Sequence, residues 1–142
     1  MRKALAVRPY PGQLRQKVFR LLASVEVAVE APPELGGSAG NDDIVRVLAE
    51  QRPELLLIPF HVVRNGGGER TTGLELLARL RQEVPRFRAI PVIMPVSLYA
   101  RLAFEGFWRS RPEDHVFPVF EGELEAEGTR VALAGFLLDG RR

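Results

Sequence analysis

The sequence predicts an α/β protein built on a five-stranded parallel sheet with helices on both of its faces. The strongest evidence is a pair of short, dense apolar segments, RPELLLIPF at 52–60 and AIPVIM at 89–94. Each is too short for a helix and lies between segments of helical periodicity, which is typical of a strand buried on both sides. A strand followed by a helix occurs five times along the chain. Because parallel crossovers are right-handed and helices must cover both faces, a doubly wound sheet follows.

The first part of the chain contains two strand–helix repeats. Apolar residues recur at i, i+4, i+7 and i+8 in the first predicted helix, and SVEVAVE alternates strictly like a half-exposed strand. Two prolines and three glycines between 31 and 40 predict an extended loop. The predicted elements are a strand at Lys3–Val7, a helix at Gln13–Ala23, a strand at Ser24–Glu30 and a helix that Asn41 or Asp42 caps and that ends at Glu50.

The rest of the chain contains three more repeats. A second extended loop is expected at 61–72, and Thr71 or Thr72 is expected to cap the helix after it. The predicted elements are strands at Glu54–Ile58, Ile90–Met94 and Val116–Val119, and helices at Gly73–Gln82, Leu98–Arg109 and Leu124–Leu138. The flavodoxin-like strand order 2-1-3-4-5 is the commonest for such a sheet. No linker separates a second domain, so we expect residues 1–142 to form a single domain.

Composition excludes several classes of protein. The absence of cysteine excludes disulfides, thiolate zinc sites and cysteine nucleophiles, and two histidines leave little for an imidazole metal site. A net charge of +2 is too small to indicate nucleic acid. No apolar run resembles a signal peptide or a membrane span. We therefore expect a soluble cytoplasmic protein with no cofactor, no metal, no nucleic-acid partner and no membrane contact.

Five strand–helix repeats at this length resemble the receiver domain of bacterial response regulators. RPELLLIPF resembles the third strand of that family, TGLELLARLR the start of its third helix, and IPVIM its fourth strand. HVFPVF, followed by ELE, is similar to the fifth strand with its proline. The resemblance covers essentially the whole chain and is strongest from 52 to 97. It implies the receiver fold and a role in two-component signal transduction.

The residues of the receiver's phosphorylation site are replaced. Its phosphoacceptor aspartate corresponds to Pro59, and its acidic pair corresponds to Arg8 and Pro9. Its hydroxyl residue corresponds to Val96, or to Ser97 with a one-residue slip, and its lysine corresponds to Phe117. Receiver phosphorylation needs a carboxylate nucleophile, a cation held by carboxylates and a lysine charge on the oxyanion. The resemblance is therefore to a degenerate receiver, a pseudo-receiver without the phosphoacceptor.

Aromatic residues are concentrated in the fourth predicted helix and the fifth predicted strand. Phe104, Phe107 and Trp108 share one face of the helix, while Phe120 ends the strand region. Further apolar residues give the helix a second apolar face, and such a helix is either deeply buried or contacts a partner. In receivers, the face made by the fourth helix, fifth strand and fifth helix binds partners or dimerises. Core and interaction surface remain equally open alternatives.

Two features at the carboxyl edge of the sheet could bind a ligand. Asn65, Gly66, Gly67 and Gly68 could hold a phosphate through backbone N–H groups, or form a flexible loop tip. No Lys and Ser/Thr follow them, as they would in a Walker loop. Arg8 could replace the charge of the receiver's cation, or be a surface arginine at a strand end. The extended loops at 31–40 and 61–72 could remodel this edge or fill the vacated pocket.

A hydrolase triad at this edge is not expected. His61, Ser97 and Asp114 are all predicted near it, but no G-x-S-x-G nucleophile elbow exists. Ser97 begins a helix, where its side chain would act as a cap. With no paired acid and base elsewhere, we expect a protein that is not an enzyme.

These observations predict a phosphorylation-independent pseudo-receiver that acts by protein–protein contact. Its partner would be a protein of a signalling pathway, with a homodimer as one form of that contact, through the face of the fourth helix, fifth strand and fifth helix. The alternative is a small-molecule or nucleotide-binding regulatory module. It would use the glycine-rich loop between the third strand and the third helix at the carboxyl edge.

Overall fold

Five parallel strands form the centre of the protein in a computed structural model, which describes residues 2–139. A separate antiparallel hairpin holds the remaining two strands. The parallel strands are β1 (Arg2–Ala6), β2 (Val27–Glu30), β3 (Leu56–Leu57), β6 (Val92–Val96) and β7 (Val116–Phe120), and the hairpin strands are β4 (Val63–Arg64) and β5 (Arg70–Thr71). The sheet order is β2-β1-β3-β6-β7. With the hairpin set aside this is the order 2-1-3-4-5, as predicted.

The five predicted helices are all present. They are α1 (Gly12–Ser24), α2 (Asn41–Gln51), α3 (Gly73–Glu83), α4 (Arg101–Ser110) and α5 (Glu127–Asp139). Short 3₁₀ turns at Pro33–Leu35, Pro85–Ala89, Leu98–Ala100 and Glu121–Glu123 join some of the elements. None of the helices within residues 2–139 combines the length and the apolar character that crossing a bilayer requires.

Helices cover both faces of the sheet, because side chains alternate between the faces along each strand. In β1, Ala4 and Ala6 point towards α1 and α5, while Leu5 points towards α2, α3 and α4. The first face holds Val18, Leu22, Leu133 and Phe136, and the second holds Ile44, Leu48, Leu77, Leu80 and Phe104. This division into two and three helices is the doubly wound arrangement, and it leaves the strand ends as the place for a site.

Of the caps predicted for α2 and α3, the one for α3 is confirmed and the one for α2 is wrong. The Thr72 side chain accepts a hydrogen bond from the N–H of Glu75 (3.2 Å) and caps α3. Neither Asn41 nor Asp42 caps α2, which begins at Asn41 after Gly40. Asn65 Oδ1 accepts from the backbone N–H of Asn41 (2.6 Å) instead. Because the capping side chain comes from a distant loop, local sequence could not reveal it.

The two extended loops are more ordered than a loop prediction implies. The segment 61–72 forms the β4–β5 hairpin, which accounts for its length. The segment 31–40 contains the 3₁₀ turn at Pro33–Leu35 and buries Leu35 completely in the core. The second strand begins at Val27 rather than Ser24, because Glu26 has a left-handed backbone (φ 62°) in a turn that follows α1.

Candidate functional site

The carboxyl ends of the parallel strands meet at one edge of the sheet, where ligands bind in folds of this type. Arg8 and Pro9 follow β1, Pro59 and His61 follow β3, and β6 ends in Val96. Among residues 2–139, no group of three or more histidine, aspartate or glutamate residues could hold a metal ion. None of the five residues named at this edge carries a carboxylate.

Four of the five predicted degenerate positions lie at this edge, and Phe117 does not. It is the second residue of β7 and pairs with Ile93 in the middle of β6. Its buried ring packs against Phe136 of α5, with ring centroids 5.3 Å apart. The residue of β7 that pairs with Val96 at the edge is Phe120. Phe120, and not Phe117, is thus the β7 residue that lies at this edge.

Tyr10 closes the edge between two strands. Its hydroxyl donates to the backbone carbonyl of Phe60 and accepts from the backbone N–H of Ser97 (3.2 Å). Burial raises the pKa of Tyr10, which keeps the phenol neutral and able to donate. The sequence does not reveal this role, because the partners lie 50 and 87 residues away. Tyr10 joins the ends of β3 and β6 where a receiver would need an open pocket.

Arg8 is buried, so its interpretation as a surface arginine is wrong. It is 3% exposed, and its Nη2 donates to the backbone carbonyl of Ala39 (2.7 Å). Its Nε has no hydrogen-bond partner within the part of the chain that the structure describes. None of the ion pairs between described residues includes Arg8, and burial lowers its pKa without removing its charge. A guanidinium without a carboxylate therefore lies under the segment 31–40.

A second buried arginine shows how such a charge is ordinarily satisfied. Arg81 of α3 is 5% exposed and lies near the amino end of β7, at the opposite edge of the sheet. It donates to the carbonyls of Phe87 (3.0 Å), Ile90 (3.1 Å) and Asp114 (2.5 Å). It also pairs with the carboxylate of Glu113 at 3.1 Å. Arg8 and Arg81 are thus equally buried, and only Arg81 is neutralised.

His61 lies beside Arg8, Asn41 follows the Arg8 acceptor Ala39 by two residues, and both are incompletely satisfied. The His61 ring lies 4.8 Å from that of Tyr10 and forms a hydrogen bond with the Arg8 backbone. Burial is the largest cause that lowers the pKa of His61; the Arg8 charge lowers it further, and that hydrogen bond opposes both. His61 Nε2 and Asn41 Oδ1 are buried without hydrogen-bond partners within residues 2–139.

The glycine-rich segment is the tip of the β4–β5 hairpin. Gly66 and Gly67 have left-handed backbones (φ 62° and 87°), which a turn of this shape requires. The N–H of Gly68 donates to the Asn65 carbonyl (3.1 Å), and the Asn65 side chain is engaged by α2. The tip remains exposed, so a role in ligand binding stays a prediction.

The three residues considered for a hydrolase triad are not assembled. Ser97 Oγ accepts from the N–H of Ala100 (3.2 Å) and caps a 3₁₀ turn, as its position predicted. Asp114 precedes β7 and lies at the amino edge of the sheet. Its predicted place at the carboxyl edge, near His61, is therefore wrong.

Of the aromatic residues predicted to bind a partner, Phe104 belongs to the core. It is 2% exposed and packs edge-to-face on Phe60 (5.3 Å between centroids) and Phe120 (5.8 Å), while Trp108 stacks on it at 5.4 Å. The interaction role of Phe104 is corrected, because a buried ring is not available to a partner. Trp108 and Phe120 are half-buried, and Phe107 alone among the four has an exposed ring.

Four exposed apolar side chains lie on α4 and on the 3₁₀ turn that precedes it. Leu102 is 84% exposed, and Leu98 and a fully exposed Tyr99 precede it in the 3₁₀ turn. We call Leu98, Tyr99, Leu102 and Phe107 the α4 apolar strip. Beside it a groove of about 620 Å³ runs between α3 and α4. A second groove of about 820 Å³ lies between α4 and β7.

Comparison with known proteins finds structural relatives only. No protein family profile and no curated protein sequence matches the chain. A sensor protein from Polaromonas sp. JS666 is similar in structure (TM-score 0.65, 14% identity, 98% of each chain covered). A response regulator receiver domain protein from Clostridium thermocellum is also similar (TM-score 0.56, 11% identity, 99% of this chain and 94% of that chain covered). The receiver domain of NtrX from Brucella abortus is a third similar structure (TM-score 0.53, 15% identity, 95% of this chain and 98% of that chain covered).

At identities this low, the likeness concerns the fold alone. The five-stranded parallel sheet wound on both faces is the receiver fold, and it extends over almost the whole of each compared domain. The protein is thus a receiver-like α/β domain.

Proposed function

We propose that this protein is a phosphorylation-independent pseudo-receiver signalling domain that acts by contact with a protein partner. The contact surface is the face of α4, β7 and α5, and the α4 apolar strip extends it towards α3, where Leu102 and Phe107 line the groove. The observation that carries this proposal is that strip, because exposed apolar side chains that lie next to one another mark interaction sites on soluble domains. Core packing cannot explain it, since Phe104 already fills that role on the inner face of α4.

The carboxyl edge supports independence from phosphorylation. Proline stands at the end of β3 where an acceptor carboxylate would be needed, and Arg8 would repel a cation. Tyr10 also occupies the space between β3 and β6. A domain of this kind presents a fixed surface and performs no catalysis. Incubation with acetyl phosphate and Mg²⁺, followed by intact-mass spectrometry, should show no phosphorylated protein. A stable phosphoryl adduct would contradict this part of the proposal.

A homodimer is the form of contact that is simplest to test. Leu102→Glu places a charge in the strip without disturbing the core, because the side chain is 84% exposed. Leu138→Glu is its matched control, since Leu138 is also 84% exposed but lies near the amino edge of the sheet. Light scattering coupled to size exclusion should show a dimer for the wild type and for Leu138→Glu, and a monomer for Leu102→Glu. All three should melt at similar temperatures.

A monomeric wild type would exclude the homodimer and leave a different protein as the partner. A photo-crosslinking residue at position 102 should then form an adduct in cells that the same residue at position 138 does not form. If the two positions give the same pattern, the strip is not an interaction surface and the proposal fails. Mass spectrometry of the adduct identifies the partner.

A regulatory module that binds a small molecule or a nucleotide remains the alternative. The exposed hairpin tip at Gly66–Gly68 is compatible with it, although the engaged Asn65 leaves fewer donors than a phosphate loop offers. Nucleotides that raise the melting temperature of the wild type but not of a variant with a shortened tip would favour this function.

A further inference from the structure

Arg8 Nε is a buried donor without a partner at the carboxyl edge, and it suggests a ligand. The two other buried polar side-chain atoms without a partner within residues 2–139 are Asn41 Oδ1 and His61 Nε2. His61 forms a hydrogen bond with the Arg8 backbone, and the Arg8 side chain reaches Ala39, two residues before Asn41. Since buried polar groups are nearly always satisfied, the unpartnered Nε–H of Arg8 requires an explanation.

Arg8 is unfavourable in the isolated protein for two independent reasons. Its guanidinium is removed from water without a carboxylate, and the desolvation of such a charge is unfavourable until another charge compensates it. Its backbone has a φ of 46°, in the left-handed region that residues other than glycine seldom occupy. Such an arrangement persists when the surrounding structure or a function requires it. A ligand that neutralises the guanidinium would remove the larger of the two costs.

The surroundings of Arg8 add to the positive charge. Its Nη2 lies near the N-terminal end of α2, where the helix dipole is positive. The two acidic residues in the first turn of α2 do not offset it, because they are exposed and engaged elsewhere. Asp42 pairs with Arg79, and Asp43 pairs with Arg46 (3.2 Å). The electrostatics of the site therefore favour an anion.

We propose that a small oxyanion, a phosphate or a carboxylate, binds between Arg8 and His61 and replaces the Ala39 carbonyl as the acceptor of the Arg8 guanidinium. A charged acceptor bonds a guanidinium more strongly than a neutral carbonyl does, and it can accept from Nε and Nη2 together. The Nε2 of the neutral His61 ring is an acceptor, so it contacts the anion favourably only where the anion carries a proton, as hydrogen phosphate does. This site is separate from the α4 apolar strip and does not depend on the proposed function.

The burial of the site limits the size of the ligand. Arg8 is almost inaccessible, while Ala39, Gly40 and His61 around it are partly exposed. The anion therefore enters beneath the segment 36–40, which must move aside by about the width of the displaced carbonyl. Arg8 also holds this segment through its backbone N–H, which donates to Leu35 (2.7 Å). A ligand of a few heavy atoms fits this description, and a nucleotide does not.

The test compares anions at equal ionic strength. Sodium phosphate, sodium acetate and sodium chloride are titrated into the wild type by isothermal calorimetry, with the melting temperature measured in parallel. We expect saturable binding of phosphate or acetate and none of chloride, and the preferred anion identifies the source of the oxyanion. The melting temperature should rise with the same concentration dependence. Identical behaviour in all three salts would overturn the proposal, because general screening does not distinguish them.

Two variants locate the site. Arg8→Met should weaken binding about 10- to 100-fold, the equivalent of one charge-assisted hydrogen bond. Arg70→Met, which removes an exposed arginine from the nearby hairpin, should leave the affinity unchanged. Equal affinities of the wild type and Arg8→Met would overturn the proposal.

Nuclear magnetic resonance of the wild type tests the site without any variant, in case Arg8→Met does not fold. Addition of the anion should shift the Arg8 Nε–H signal and the backbone amides of 39–41 and 61. Shifts confined to the exposed hairpin tip would place the anion there instead and refute the assignment to Arg8.

Discussion

We expect the same substitution at the two buried arginines to have opposite effects on the free energy of unfolding. Arg8 and Arg81 are 3% and 5% exposed, and methionine fills a similar volume in each place. Arg8→Met removes an unpaired buried charge, whose penalty is several kcal/mol, and loses one hydrogen bond to a carbonyl, worth about 1.5–3 kcal/mol. We expect Arg8→Met to raise the free energy of unfolding by about 1–3 kcal/mol when no oxyanion is present.

Arg81→Met should do the reverse. It removes three hydrogen bonds to backbone carbonyls and the ion pair with Glu113. Breaking a buried pair by removing one partner destabilises by about 3–5 kcal/mol, because the remaining groups stay buried and unpaired. The two variants are thus expected to differ by about 4–8 kcal/mol, the difference between the two ranges.

Urea unfolding measures both free energies. Linear extrapolation is applied to the wild type and to each variant in a buffer free of phosphate, sulphate and carboxylates. In thermal unfolding, each kcal/mol corresponds to roughly 2–4 °C at this size. A loss of stability of about 1 kcal/mol or more in Arg8→Met would refute the reasoning, since the guanidinium would then be stabilised by its environment in the free protein.

Three further substitutions test other contacts of the fold. Gly73→Ala should destabilise the protein by about 2 kcal/mol or more, because its Cβ would lie 2.4 Å from a backbone carbonyl oxygen after β3. Gly135→Ala is the control, because a Cβ there has open space and should stabilise the protein by about 0.5–1 kcal/mol. Tyr10→Phe should cost about 1–3 kcal/mol in urea unfolding, because it leaves a buried carbonyl and an N–H without their partner. His61→Gln should abolish part of the loss of stability on acidification that the wild type shows.

The sign of the histidine effect follows from the lowered pKa. The unfolded chain protonates His61 near its ordinary value of 6.5, and the folded protein does so at lower pH. Between these values the unfolded chain binds more protons, so stability rises with pH and is lost as the pH falls from about 7 towards 5. Unfolding curves measured across this range test it, and a pH dependence unchanged in His61→Gln would contradict it.

A Gly73→Ala or Tyr10→Phe variant that is as stable as the wild type would show that the contact relaxes without loss of stability.

The sequence predicts the five helices and the Thr72 cap because each depends on a local pattern, whereas the sheet order was expected because it is the commonest for such a sheet. Two dense apolar runs that are too short for helices indicate strands buried on both faces. Thr72 accepts a hydrogen bond from an N–H only three residues further along the chain. The Asn41 cap failed because the capping oxygen belongs to Asn65. The strand predicted from Ser24 began late because alternation does not reveal the left-handed Glu26.

The candidate sites were harder to predict because they depend on which elements pack against one another in the folded protein. Periodicity placed Phe104, Phe107 and Trp108 on one face of α4, but it could not decide that Phe104 is buried while Phe107 and Leu102 are exposed. Arg8 follows a strand, where an arginine is ordinarily exposed. It is buried because Leu35 anchors the segment 31–40 above it, and no pattern near Arg8 reports that.

The hydrogen bond between the Asn41 N–H and Asn65 Oδ1 makes the β4–β5 hairpin part of the structure that begins α2. Asn65 holds the first N–H of α2, and Gly40 lies close enough that a Cβ there would stand 3.3 Å from the Asn65 oxygen. Replacing 61–72 with a connection of ordinary length would therefore leave the start of α2 uncapped and uncover the buried Asn41 side chain. A chimaera that imports a shorter loop from another receiver fold needs a new capping residue at position 40, because shortening one loop here changes the beginning of a helix elsewhere.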